Sequence, residues 1–513
     1  MKLDFFKNTK RNALAAYANS LLGLLLPFLN RSLFLWLMGP QYLGLNGLFG
    51  SILGMLSLAE LGFGAAVGYS MYKPIAEDNK PLICAYLRFY RTVYRCVGTV
   101  IFLTGLCLMP FLRRLIHGEI PPELNLHLLF FIHLVNTTVS YFFFAYRGSI
   151  LATHHRNDVL SNIRSLVSMA QYATVFLILW LTRNYYHYIL ATVFFTLLSN
   201  LLILKESHRL YPDIEPKGAL ERDLRWKVAK NVCDLFMHKI GAVITYSINN
   251  VIISAFLGLT AVAAYGNYFY VYKSVAGLIS SLYTSMKAGF GNRIHTESQE
   301  ENFALFMKAH RLVAVAIVWC AAMLFALYQP FIQIWTRHKP ELGRHFLTAA
   351  LMVLFFFINQ SRQVLLTIKD AAGLWHRDRW KPLVAGLLNL TINITLIRIL
   401  PFDYKLDGVI TATIVSLVLV QIPWETHAVF STLFTKAQAR TYLFSQIRFA
   451  LLAVPLCAVT WFAVQQVTMD KMQGMALKGV VAGLVSGGLI LLLFHREVMA
   501  HLKQRLSKGG GPA

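Results

Sequence analysis

At 513 residues, 56% hydrophobic and only 14% charged, with a mean hydropathy of +0.53, the chain falls outside the soluble globular class, in which about half the residues are apolar and roughly a quarter charged. Its 48 Lys and Arg against 24 Asp and Glu give a formal charge of +24. In a polytopic membrane protein such an excess reports topology, because cytoplasmic loops collect Lys and Arg, and nucleic acid is not expected as a partner.

The first ten residues are basic and run into an apolar stretch. That stretch is too long for a signal peptide, contains Pro27 and Arg31 and has no small-residue cleavage site after it, so a retained helix is expected. A membrane span needs roughly 20 mostly apolar residues. In chain order the segments that qualify are Leu14 to Leu37, Leu45 to Tyr69, Val93 to Leu112, Leu126 to Tyr146, Leu160 to Leu181, Tyr188 to Leu204, Asp234 to Leu257, Ala264 to Met286, Val313 to Leu327, Phe346 to Ile368, Leu383 to Leu400, Gly408 to Val429, Phe449 to Val467 and Ala476 to Phe494. The expected fold class is therefore an all-α polytopic membrane protein of about 14 transmembrane helices. Basic residues concentrate in alternate gaps, and outside there remain only Arg113, Arg114, Arg183, Arg337, Lys339, Arg344, Lys405, Lys471 and Lys478. Both termini are thus expected in the cytoplasm, with Trp36, Trp180 and Trp335 at outer helix ends.

The second span carries Gly47, Gly50, Gly54, Ser57, Glu60, Gly64 and Gly68 at three- or four-residue spacing. That spacing collects small residues and one carboxylate on a single helix face. The longest polar interruption, residues 205–230, holds two prolines and no apolar span. It divides the chain into 1–204 with six helices, the linker 205–230, 231–430 with six more, and 431–513 with two further helices and a basic tail. Gly39 and Gly47 flank the turn after the first helix as Gly258 and Gly266 flank the turn after the seventh. A parallel duplication of a six-helix unit, a plan found among transporters, would produce that pattern.

Few ionisable groups remain at membrane depth: Arg31, Glu60, Lys239, Lys273 and Arg362, with Asp234, Arg398 and Glu425 nearer helix ends. Asn250 lies beside the polar stripe of the seventh helix, and Asn359 stands one turn before Arg362 in the tenth. Each has a structural reading as well. Arg31 and Glu60 can neutralise one another, since buried charges tend to pair. Lys239 and Arg362 lie within two turns of cytoplasmic ends and can extend to the interface, and asparagines commonly bond across helices. The functional reading is a cationic cavity in which Arg31, Lys239, Lys273, Arg362, Asn250 and Asn359 bind an anionic, phosphate-bearing substrate. Glu60 would then be either a coupling-ion site or a structural carboxylate.

The sequence holds no zinc-protease, hydrolase-elbow or Walker motif, and its six scattered cysteines have no paired spacing. No catalytic residue, metal, disulfide or cofactor is expected.

The Arg in the first helix, the turn LMGPQYLGLNGLF and the following LSLAELGFGAAVGYSMYKP resemble the polysaccharide transporter family of bacterial lipid-linked oligosaccharide flippases. That family belongs to the multidrug/oligosaccharidyl-lipid/polysaccharide (MOP) exporter superfamily, beside multidrug extruders and lipid II flippases. The resemblance covers the whole chain in helix count and layout, and in motif about Arg31 to Pro74 and, more loosely, Ala264 to Arg293. It implies two pseudo-symmetric six-helix lobes in a V around a central cavity, with two C-terminal helices appended. It also implies alternating-access export of an undecaprenyl-pyrophosphate-linked oligosaccharide across the bacterial cytoplasmic membrane, with membrane lipids and polysaccharide-biosynthesis enzymes as partners. Arg31 matches the family pattern, whereas Lys239, Lys273 and Arg362 rest on helical stripes alone. Three other readings stay open: an organic-cation exporter, which wants acids in its cavity; a membrane glycosyl-polymerase, which wants a catalytic outer loop; and a non-transporting scaffold.

Overall fold

A bilayer offers backbone groups no water, so an apolar chain crossing it closes its hydrogen bonds within helices. The computed structural model of the protein follows that rule and describes residues 23–494, except 58–62, 295, 338, 340, 344 and 469–471. Among the described residues the chain is helical without strands. Among the described residues, each segment expected from hydropathy falls on a helix or a broken pair of helices, usually a longer one.

The first two helices are α1 (Gly23–Leu37) and α2 (Pro40–Leu56), with the glutamate Glu60 falling outside the described residues. They are followed by α3 (Phe63–Ala76), α4 (Lys80–Leu108), α5 (Leu126–Phe142), α6 (Gly148–Thr153), α7 (Asn157–Thr182), α8 (Tyr185–Leu210) and α9 (Arg222–Leu257). Next come α10 (Leu259–Arg293), α11 (Gln299–Trp335), α12 (Phe346–Ser361), α13 (Gln363–Ala371), α14 (Lys381–Ile399), α15 (Lys405–Ser416), α16 (Ile422–Phe430), α17 (Lys436–Gln465) and α18 (Met472–Leu493). Nine described helical segments are long and apolar enough to cross a membrane, or ten if the α5–α6 pair, bent by 46°, counts as one span. The chain is a multi-pass membrane protein.

Local chemistry sets the boundaries. The side chains of Asn79, Asn125 and Asn184 accept backbone N–H bonds at the starts of α4, α5 and α8. Ser298 with Glu301 and Thr435 with Gln438 form reciprocal capping boxes at α11 and α17. Such caps satisfy donors that a helix start leaves open. Gly39 (φ 103°) and Gly258 (φ 87°) each stand immediately before a helix in the same positive-φ conformation, which a side chain would strain. The two glycine-flanked turns singled out in the sequence are therefore alike in backbone.

Backbone contacts divide the chain into two units, 1–263 and 264–513. In the first, α2 packs on α9, α4 on α5, and α7 on α8, with α5 also touching α8. The linker after α8 is docked on this unit: Ile214 and Leu220 are buried, Arg88 donates to the Gly218 carbonyl at 2.9 Å, and the buried Arg147 donates to the Ile214 carbonyl at 2.9 Å. Lys80 Nζ lies 2.8 Å from the Asp213 carboxylate, and that hydrogen bond holds Asp213 below the usual carboxylate range.

In the second unit α11 is the central element and touches α12, α17 and α18. Ala314, Val318 and Ala322 of α11 pack with Phe449, Ala453 and Leu456 of α17 and with Ile490 and Phe494 at the chain's last described turn. Trp36 and Trp180 are exposed, as interfacial rings would be. Trp335 instead is buried against Tyr270 and Phe331, because α11 is covered on several sides.

Candidate functional site

In the first unit the polar groups of α1, α2 and α9 are tied to neighbouring helices. On α1, Asn30 Nδ2 donates to the Tyr188 hydroxyl at 3.2 Å, and the half-buried Arg31 donates through Nη2 to the Ala263 carbonyl at 3.5 Å. On α9, Asn250 Nδ2 donates to Ser51 Oγ of α2 at 2.8 Å. Its buried Oδ1 has no hydrogen-bond partner among the described residues, and an unfilled buried acceptor carries a desolvation cost. Glycines make these approaches possible. A Cβ on Gly44 would stand 2.0 Å from the Leu259 carbonyl oxygen and one on Gly47 3.3 Å from Val262.

In the second unit Asn359 is buried and donates through Nδ2 to the Tyr272 hydroxyl at 2.5 Å. The next residue along α10, Lys273, is exposed, and no described hydrogen bond or ion pair joins it to Asn359 or Arg362. Lys239 falls within α9, but its side chain lies outside the described residues, as Glu60 does entirely.

Arg362 is placed differently from a group that extends to the interface. It occupies the joint between α12 and α13 with its side chain 13% exposed, and its Nη1 meets Gln421 Oε1 at 2.6 Å and Glu425 Oε1 at 3.2 Å. Gln421 ends a π-helical turn, Leu417–Gln421, between α15 and α16. Two helix irregularities thus converge on one ion pair, a pattern that π-turns often mark at functional positions.

From there a chain of alternating charge continues. Glu425 Oε1 is 2.7 Å from Lys381 Nζ, which is 2.7 Å from Asp378 Oδ2, which in turn is 2.5 Å from Lys369 Nζ. Lys369 then approaches Asp370 at 3.8 Å and Asp370 approaches Lys287 at 3.9 Å. Glu425 and Asp378 are fully buried, whereas Lys287 is half exposed. The chain holds four cations and three acids. Burial of so many charges is tolerable only because each has an opposite neighbour.

Lys369 and Lys381 stand in the stretch between two apolar segments, where basic residues ordinarily meet water, yet both are buried. The physical reason is the pair of acids, Asp378 and Glu425, that offset their desolvation. The one signal available beforehand was Glu425 itself, an acid in an apolar helix that needs a cation, but nothing in the sequence names the partner 44 residues away.

No family model matches the sequence. No curated protein matches it either. Solved structures do resemble the fold. The lipid II flippase MurJ in an inward closed conformation superposes with a TM-score of 0.67 at 14% identity, covering 95% of this chain and 99% of that one. An inward-facing multidrug resistance MATE transporter of the MOP superfamily gives 0.62 at 13% identity over 79% of this chain and 94% of that one. A MOP-superfamily transporter from Pyrococcus furiosus, described as having a binding pocket of reversed polarity, gives 0.51 at 13% identity over 80% and 94%. At such identities the likeness is one of fold: this chain has the all-helical membrane fold shared by MATE transporters and MurJ.

Proposed function

We propose that the protein is a flippase that carries a polyprenyl-pyrophosphate-linked oligosaccharide across the bacterial cytoplasmic membrane, with both termini on the cytoplasmic side. Alternating access between two helical lobes moves the cargo, and its anionic headgroup is held by Arg31, Lys239, Lys273 and Arg362 with help from Asn250 and Asn359. The observation that carries this reading is the sign of the charge. The buried acids Asp378 and Glu425 are countered by Lys369, Lys381 and Arg362, and with Asp370 and Lys287 the connected charges number four cations to three acids, an excess of one cation. A site with surplus Arg and Lys suits a pyrophosphate, because Arg presents paired donors and Lys a point charge. The fold likeness to a lipid II flippase supports it at the level of architecture.

Export of organic cations is the second reading, favoured by the fold likeness to a multidrug MATE transporter. Such cargo would need a carboxylate released from its cation partners, and Glu60 is the residue to test there.

The two readings separate in liposomes. Purified protein should flip a fluorescent polyprenyl-pyrophosphate oligosaccharide out of reach of, or into reach of, a membrane-impermeant quencher, and Arg31→Ala should lower the rate at least tenfold while leaving the protein in the membrane. Unchanged flipping in Arg31→Ala sinks the cationic-site role. Drug efflux without glycolipid flipping transfers the function to the exporter class.

A further inference from the structure

The first unit contains a second polar space, separate from the groups proposed for the cargo. Helices α4, α5, α7 and α8 line a half-open cavity of about 390 Å³, with Arg164 exposed on its wall. On α7, Arg164, Ser168 and Gln171 line it, a spacing of four and then three residues that puts them on one helix face. Opposite them are Ser199 and Asn200 of α8 and Ser140 of α5. Asn200 Nδ2 donates to Ser140 Oγ at 3.1 Å, whereas Arg164, Ser168, Gln171 and Ser199 have no side-chain partner among the described residues. Arg164 is the lone charge in the lining, and no acid offsets it.

Position narrows the ligand. The cavity lies toward the end of the unit where the basic residues gather: Arg95 follows Tyr94 of the lining, Arg147 follows α5, Arg156 precedes α7, and Lys205 follows the lining part of α8. At 1.5 Å per residue α7 is about 39 Å long and Arg164 stands about 10 Å inside its start. With a hydrocarbon core of about 30 Å and headgroups bringing the bilayer to about 40–45 Å, that depth is close to the hydrocarbon boundary, within reach of the phosphate level for an extended guanidinium. Leu166 and Met169 of α7 and Leu201 of α8 are exposed, as side chains meeting acyl tails would be.

We propose that this cavity binds a phosphate ester anion, delivered as the headgroup of an anionic phospholipid from the leaflet on the basic side. Arg164 pairs with the phosphate oxygens through two N–H groups, Ser168, Gln171 and Ser199, which stand deeper in the same cleft, donate to the ester oxygens of the lipid, and the tails cover the apolar flank. Basic pockets between membrane helices on the cytoplasmic side are suited to such headgroups. The site would anchor the first unit to the lipid and does not depend on the identity of the cargo.

Native mass spectrometry of the purified full-length chain tests it. In detergent, phosphatidylglycerol should be retained at least fivefold over phosphatidylcholine, with glycerol 3-phosphate retained no better than phosphatidylcholine. Arg164→Gln should remove the preference, and Arg164→Lys, the second variant should the first fail to fold, keeps the charge without the paired donors and should lower it about threefold. Equal retention of the two lipids, or a preference that survives both substitutions, overturns the proposal. Retention of glycerol 3-phosphate as tightly as phosphatidylglycerol overturns the lipid assignment in favour of a soluble phosphate ester.

Discussion

Glu425 shows what one carboxylate can be made to hold. It is fully buried on α16 and faces Lys381 at 2.7 Å and Arg362 at 3.2 Å, so its loss would leave Lys381 sharing Asp378 with Lys369 and Arg362 with no acid among the described residues. Removing one member of a buried ion pair typically costs about 3–5 kcal/mol, because the partner stays desolvated and unpaired. Glu425→Gln should therefore lower the thermal unfolding midpoint of the purified protein markedly. The triple variant Arg362→Met/Lys381→Met/Glu425→Leu, which removes both cations together with the acid they share, should recover most of the loss, since apolar replacement of a whole buried ion cluster is often neutral. A midpoint for Glu425→Gln equal to wild type would show that the chain of charges does not stabilise the unit. At this scale the sequence was only half legible. Arg362 and Glu425 stand out as ions in apolar helices, but Asp378 and Lys381 sit in a polar connection where charge is ordinary, and only proximity gives them their role.

The small-residue face of α2 behaves unevenly along its length. Gly44 lies where a Cβ would strike the Leu259 carbonyl oxygen at 2.0 Å, and backbone cannot yield as a side chain can, whereas a Cβ on Gly50 would meet nothing within 4 Å. Gly44→Ala should thus force α2 away from the start of α10, with an overpacking cost of about 1–3 kcal/mol. Gly50→Ala should stay within about 0.5 kcal/mol of wild type or gain slightly, since Ala suits a helix better. The yield of folded, monodisperse protein in detergent is the readout, and equal yields for the two would contradict the close approach. Periodicity revealed that α2 has a glycine-rich face. It did not reveal which glycines are pressed, because that depends on where the turn at Gly258 brings the next helix. The repeated spacing, by contrast, singled out Gly39 and Gly258 as turn glycines, and both take a positive φ, which selects glycine directly.

Over the whole molecule, orientation in the bilayer follows from the distribution of Lys and Arg. In a variant with the six native cysteines replaced by Ala, Lys217→Cys on the docked linker should resist a membrane-impermeant maleimide in intact cells and react after lysis. Asp403→Cys, exposed at the start of the α15 segment, should react in intact cells. The opposite pattern would invert the topology and, with it, the leaflet expected to fill the Arg164 cavity. The linker position is informative because this segment, the longest polar interruption of the sequence, is held to the first unit by Arg88, Arg147 and the Lys80–Asp213 pair. Neutralising Asp213 removes that pair, and the sign follows from its depressed pKa: the contribution is present above the ordinary carboxylate value and is lost as pH falls through the folded one.

The sequence by itself determined the membrane class, the number and order of apolar segments and the glycine turns. Each of these depends on hydropathy, backbone torsion or hydrogen bonding within a few residues, so short windows contain the full cause. The tertiary structure alone decided that Lys369 and Lys381 are buried, that Arg362 meets Glu425 and Gln421, that residues 211–220 dock, and that Arg164 faces a polar cavity. Those outcomes depend on distances between residues that range from a few to more than a hundred positions apart. The energy of a buried charge is set by its neighbours in space, and a sequence does not state them.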